Sequence, residues 1–233
     1  MNSNYNSILN LSFDDARKTS LSRNAKTFFY DNGYLKINNI VDPLLLKENP
    51  PEEFGQFTFK KIDSQNFSIY KEDVESQVPG STSRYSYPPY IKYHTDIRLK
   101  IEKIIGEKLY NTYFYDRFYF VNQDLKKHKD RDSCEISISV QISTNSPNPW
   151  DFSLETLKGK NVSVGLNDGS GLLYLGCDVM HWRDPLKSRH KFLKRKLYNF
   201  IKKDDDTYHH QIFFHYVRAN GHRCHFAKDA LTS

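Results

Sequence analysis

The chain is poor in cysteine: Cys134, Cys177 and Cys224 are its only three, scattered and odd in number. They give no disulfide framework, which excludes small disulfide-stapled secreted folds and fits a reducing, cytoplasmic setting. No apolar run approaches the length of a membrane span, so no membrane partner is expected. The first 25 residues lack the apolar core of a secretory signal and read as a polar leader. Residues 26–233 then suit a single domain with a sizeable core. Aromatic residues are plentiful, with 16 Tyr and 16 Phe, and such a core suits strands better than a helical bundle. The net charge of +6 admits an acidic partner, nucleic acid included. A solvated basic surface accounts for it more simply.

Along the chain, a helix is expected to close near Ala25–Asp31 ahead of Asn32-Gly33, followed by a short strand from Tyr34 to Ile37. The region from Phe57 to Tyr70 holds one or two strands. Ser76 to Pro89, with Pro79-Gly80 and Pro88-Pro89, reads as a mobile loop covering a site. The best helix starts at a Thr95 N-cap, runs Ile97, Ile101, Ile104, Ile105 along one face, and stops by Gly106. From Tyr110 to Val121, period two sends Tyr113, Tyr115, Arg117 and Tyr119 to one face. Phe114, Phe118 and Phe120 take the other. Such a strand suits a barrel wall facing a ligand cavity on one side.

Ile136, Ile138, Val140 and Ile142 alternate with Ser137, Ser139, Gln141 and Ser143 in a further strand. Shorter strands follow at Trp150–Leu154, Asn161–Leu166 and Leu172–Leu175, the last delivering His181, and a strong one at Gln211–Val217. The fold class is mainly β with flanking helices, a barrel or jelly roll. Residues 186–206 interrupt it as an insertion of basic, helical character with no acid before Asp204. Its Lys and Arg residues are the chain's one plausible nucleic-acid surface, and a solvated helix is the simpler reading.

The chemistry is concentrated at His128-Lys129-Asp130 and the distant His181. His-x-Asp sends imidazole and carboxylate from one face of an extended segment. With a second His, two imidazoles and a carboxylate form the facial set that suits non-haem Fe(II) and leaves coordination positions open. His-x-Asp alone is a weak signal, but its surroundings strengthen it. Arg117-Phe118-Tyr119, His128-Lys129-Asp130-Arg131-Asp132, Gly176-Cys177-Asp178-Val179-Met180-His181-Trp182-Arg183 and Gln211-Ile212-Phe213-Phe214-His215-Tyr216 follow one layout. In these pieces the chain resembles the Fe(II)/2-oxoglutarate-dependent dioxygenases, nearest the prolyl 4-hydroxylase-like branch.

That resemblance implies a double-stranded β-helix fold and metal ligands His128, Asp130 and His181. It implies Fe(II), 2-oxoglutarate and O2 as cofactor and cosubstrates, with ascorbate as an auxiliary. Tyr119 stands nine residues before His128, where the family's Tyr commonly bonds the cosubstrate. The family's basic anchor for the far carboxylate falls near Lys191, inside the insertion, which is a departure. Arg183 is the nearest substitute, since its planar fork binds a carboxylate bidentately; Arg218 is an alternative. Tyr113, Tyr115 and Arg117 are expected to line the substrate pocket. The implied reaction hydroxylates an unactivated C–H bond of a peptidyl side chain or small molecule, forming succinate and CO2. A nucleic-acid module and a non-catalytic metal-binding barrel are the competing classes. His209-His210 and His222 to His225 lack the paired cysteines of a zinc site and read as surface or supporting histidines.

Overall fold

A computed structural model describes residues 11–12, 19–50, 60–62, 67–70, 77–190 and 205–231. In chain order the elements are β1 (Leu11–Ser12), α1 (Thr19–Asn32), β2 (Tyr34–Asn38), β3 (Lys60–Ile62), β4 (Phe67–Tyr70) and β5 (Thr82–Tyr85). Then come α2 (Ile91–Ile105), β6 (Leu109–Phe120), β7 (Leu125–His128), β8 (Ile136–Thr144) and β9 (Phe152–Glu155). The last four are β10 (Asn161–Val164), β11 (Gly171–Tyr174), β12 (His181–Arg183) and β13 (Tyr208–Arg218). A nine-stranded sheet runs β1-β2-β11-β8-β13-β6-β5-β4-β3, and a four-stranded sheet runs β10-β9-β12-β7. The two are the walls of a double-stranded β-helix, with α1 and α2 packed on the outer face of the larger.

The alternation of β8 explains the layering. Ile136, Ile138, Val140 and Ile142 are fully buried in the core shared with Phe29, Ile97, Ile101 and Phe214. Ser137, Ser139 and Gln141 point the other way and are buried just as deeply. A strand buried on both faces, one apolar and one polar, belongs between helices and a lined cavity. Strand β13 repeats the pattern: Ile212, Phe214 and Tyr216 join the helix-side core, while His209, Gln211, Phe213 and His215 face inward. The small sheet covers that inner face, bringing Trp150 against Tyr119 and His209, and Phe152 against Tyr174.

Helix α2 starts at Ile91, ahead of the expected Thr95 cap. The 3-10 turn Pro88–Tyr90 leads the chain directly into it, and the side chain of Thr95 is taken up by Asn111. It ends as expected at Gly106, whose φ of 72° lets its N–H reach the Glu102 carbonyl. Helix α1 starts at Thr19, within the stretch expected to be a leader.

Two other expectations are corrected. Ser76 to Pro89 is not a loop throughout, because β5 inside it pairs with both β4 and β6. Short strands with Pro and Gly on either side carry little periodicity of their own; the neighbours supply the ladder. Likewise His181 is not delivered by β11. The chain turns at Gly176 and crosses to the other sheet, where His181 lies opposite His128. Of the basic insertion, residues 191–204 lie outside the described residues. Among the described residues no helix is long and apolar enough to cross a membrane.

Candidate metal centre

His128 ends β7 and His181 begins β12, and these strands pair with the two residues in register. Their rings lie 4.3 Å apart. Asp130 follows β7, its N–H bonded to the Gly176 carbonyl (2.9 Å). Its Oδ1 stands 3.6 Å from His128 Nε2 and 3.4 Å from His181 Nε2. The two imidazole nitrogens and the carboxylate thus face one point within 4.8 Å of one another.

The supporting contacts decide which atoms face that point. His128 Nδ1 donates to the Lys126 carbonyl (2.7 Å) and His181 Nδ1 to the Val179 carbonyl (3.1 Å). Each bond fixes the tautomer and leaves Nε2 with its lone pair toward Asp130, the arrangement that metal-binding histidines use. Asp130 Oδ2 accepts from Ser137 Oγ (3.1 Å). Burial pushes the Asp130 carboxyl upward, but the two histidines outweigh it and hold the group ionised, well below the usual carboxylate range. For His128, burial works downward and is outweighed by Asp130 and the Lys126 carbonyl, so its pKa is raised. Gly176 makes room for all this: a Cβ there would lie 2.2 Å from the Cys134 carbonyl and 2.5 Å from Asp130 Oδ2. This donor set fits a divalent ion of the Fe(II) type.

The wall beside the centre is aromatic. Tyr85, Tyr115 and Phe213, on three neighbouring strands, stack at 4.9 and 4.8 Å with interplanar angles of 18° and 17°. Tyr113 stacks on His215 at 4.6 Å and bonds Cys134 Sγ at 3.1 Å. Arg117 Nη1 donates to Gln77 Oε1 (3.0 Å) and Tyr119 Oη (3.3 Å), and Gln77 Nε2 in turn donates to His128 Nε2 (3.1 Å). Gln77 brings the first part of the Ser76–Pro89 stretch to the centre, although the stretch as a whole is not a cover. Tyr113, Tyr115, Arg117 and Tyr119 all lie inside the barrel, as the period-two pattern requires.

Arg183 is the most informative side chain here. It is 1% exposed, its guanidinium lies 4.6 Å from the Trp150 ring and 4.9 Å from the Phe152 ring, and Nη1 donates to the Trp150 carbonyl. Its Nε and Nη2 are buried with no hydrogen-bond partner among the described residues. Burial pushes its pKa down to about 10, so the group remains a cation at neutral pH. A buried cation with two idle donors and no carboxylate costs several kcal/mol unless a guest supplies the anion (about 3–5 kcal/mol when one partner of such a pair is missing). The alternative anchor Arg218 is instead engaged with Glu135 and Glu107 on the outer side.

His209 and His210 are not surface residues: they are 1% and 0% exposed. His210 stacks on Phe118 at 3.9 Å and bonds Asp116 at 2.8 Å. They are buried because β13 begins at Tyr208, ahead of the expected Gln211–Val217 strand. His222 and His225 are exposed, as expected. Cys134, Cys177 and Cys224 are all free thiols.

No protein-family model matches the sequence, and no curated protein matches it either. Solved structures do. An oxidoreductase of the 2OG-Fe(II) oxygenase family from Burkholderia pseudomallei superposes with a TM-score of 0.55 at 10% identity, over 86% of this chain and 92% of that one. HygX from Streptomyces hygroscopicus, with nickel, 2-oxoglutarate and hygromycin B bound, gives 0.54 at 11% identity over 83% and 86%. A prolyl hydroxylase from Trichoplax adhaerens, in complex with a hypoxia inducible factor peptide fragment, gives 0.50 at 12% over 92% and 93%. These likenesses establish the fold: the chain has the double-stranded β-helix of the 2-oxoglutarate/Fe(II) oxygenases, prolyl hydroxylases among them.

Proposed function

We propose that the chain is an Fe(II)- and 2-oxoglutarate-dependent oxygenase that hydroxylates an unactivated C–H bond of a peptidyl side chain or small molecule. The observation that carries this is the convergence of His128 Nε2, His181 Nε2 and Asp130 Oδ1 at one end of a lined barrel. These three atoms hold the metal. Bound there with 2-oxoglutarate and O2, Fe(II) supplies the oxidising chemistry: the cosubstrate leaves as succinate and CO2 while a substrate C–H becomes C–OH.

The protein's own residues do the rest. Asp130 stays ionised and offsets part of the metal's charge. The Lys126 and Val179 carbonyls orient the two imidazoles. Arg183, with the phenol of Tyr119 beside Trp150, binds the far carboxylate of 2-oxoglutarate. Tyr85, Tyr115 and Phe213 exclude water and offer a flat apolar wall to the substrate. The bound peptide and hygromycin B of the structural relatives illustrate the two substrate classes that such barrels take.

The test is anaerobic addition of Fe(II) and 2-oxoglutarate to the purified chain. A visible charge-transfer band that needs both, and is lost in His128→Ala with the fold retained, supports the reading. Absence of the band and of succinate formation in the wild type overturns it.

A further inference from the structure

The inner end of β13 carries a second group as idle as Arg183. His209 is 1% exposed, and neither Nδ1 nor Nε2 has a hydrogen-bond partner among the described residues. Its ring meets Trp150 edge-on at 5.3 Å, the same indole that lies against the Arg183 guanidinium. Across the ladder its partner on β6 is Tyr119. Arg183 Nε and Nη2 and an imidazole N–H are therefore unsatisfied around one indole. A buried donor without a partner is destabilising, so such a group persists where a guest rich in acceptors completes it.

Resting on the oxygenase reading above, we propose that His209 is a specificity-determining residue of the dicarboxylate pocket, donating one N–H as a neutral imidazole to the far carboxylate that Arg183 pairs. Charge decides its protonation state. One carboxylate is neutralised by the one guanidinium, and a second cation would be left uncompensated in a buried site. The titratable groups facing His209 are Arg183 from β12 and Tyr119 from β6, with His210 next to it in the chain. Burial first, then the Arg183 and His210 charges, hold its pKa well below the ordinary 6.5.

The probes are 2-oxoglutarate and succinate, which share the far carboxylate, titrated calorimetrically into the full chain loaded with Mn(II). Succinate lacks the 2-oxo group, so it isolates this end of the pocket. His209→Leu removes the donor at similar volume, and His209→Gln retains one. The expected result is about tenfold or greater weakening in His209→Leu, the loss of one good hydrogen bond to a charged group, and recovery of most of it in His209→Gln. Wild-type affinity should be the same at pH 6.5 and 8, with no proton taken up on binding. Thermal melting of the ligand-free chain gives an independent readout: His209→Leu should melt at or above the wild-type temperature, since it removes an unsatisfied buried group.

Each contrary result has a distinct meaning. If wild type binds neither probe, the oxygenase reading fails and this pocket with it. If wild type binds and His209→Leu binds equally well, the role of His209 alone is overturned. Proton uptake with affinity falling as pH rises would replace the neutral donor with an imidazolium. A sharp fall in melting temperature for ligand-free His209→Leu would make the residue structural.

Discussion

Two fully buried charges sit on different sheets, Asp116 on the helix side of the large sheet and Arg183 on the small sheet that covers its inner face. On the helix side Asp116 is 1% exposed, and Arg84 Nε reaches it at 3.0 Å while His210 reaches it at 2.8 Å. Arg84 also pairs with Glu48 and lies over Tyr87 at 4.0 Å. Burial pushes the Asp116 carboxyl up, but Arg84 and His210 outweigh it and hold the group below its ordinary value. On the inner side Arg183 is equally buried, bonds the Trp150 carbonyl and lies against the Trp150 and Phe152 rings, with no ion pair among the described residues. Both charges cost desolvation. Among the described residues only Asp116 is paired with a counter-charge. That pairing ties β5, β6 and β13 together; on the function proposed above, a bound carboxylate would bring the counter-charge to Arg183. A count of buried charges would treat them alike, and their partners separate stability from binding.

The sharpest way to break this contrast is to remove each charge. Asp116→Ala should destabilise the fold by about 3–5 kcal/mol, because it strands Arg84 and His210 in a buried site. Arg183→Leu should leave stability in urea unchanged or raise it, while weakening 2-oxoglutarate binding by hundreds-fold or more. Arg183→Lys should recover only part of that, since an ammonium lacks the planar fork. If Arg183→Leu unfolds the chain as readily as Asp116→Ala does, the two arginine environments are equivalent and the contrast fails.

A smaller effect sharpens the inner half. Gly176→Ala forces a Cβ against Asp130 Oδ2 and the Cys134 carbonyl. Disturbing the support of a metal ligand costs about 10–100-fold in metal affinity. Competition between this variant and a chromogenic chelator for Fe(II) should show that loss, with urea stability changed less than by Asp116→Ala. An affinity equal to wild type would mean that Asp130 does not depend on this close approach.

The smallest effect is graded with pH. His94, on α2, is buried against Phe114, Phe214 and Tyr216, and its Nε2 donates to the His215 carbonyl (3.0 Å). Burial lowers its pKa to about 3, so it stays neutral in the fold while the unfolded imidazole takes a proton near pH 6.5. Its contribution is therefore complete above pH 6.5 and is lost as the pH falls below that, by about 1 kcal/mol per pH unit. Asp116 acts in a lower window. Its depressed carboxylate gives stability that is present above the unfolded value of 3.8 and is lost as the pH falls through the folded one. Melting curves should show the first decline blunted in His94→Gln and the second unchanged. A decline that starts only below pH 4 would show that His94 is not held neutral.

How much was legible depended on how local each signal was. Strand β8 wrote both of its faces into alternating Ile and Ser, because side-chain period alone sets which residues share a face. Gly106 marked the end of α2 because only a left-handed residue closes a helix that way cheaply. His128 and Asp130 stood out as a His-x-Asp pair on one short stretch of chain, and Tyr119 was singled out by the family resemblance alone. β5 was missed because four residues between Pro and Gly have no period to read, and the ladder is provided by β4 and β6.

The sequence by itself determined the candidate metal-binding residue set, the two-faced strands and the mainly β class. Each follows from residue type and neighbour spacing, which folding does not alter. Only the tertiary structure decided that β12 crosses to the second sheet and sets His181 opposite His128. It alone gave Asp116 its partners Arg84 and His210, drawn from strands 32 and 94 residues away. It alone left Arg183 Nε and Nη2 and both His209 nitrogens without a hydrogen-bond partner among the described residues. Whether a buried charge is satisfied depends on what distant strands bring to it, and no window of the sequence contains that.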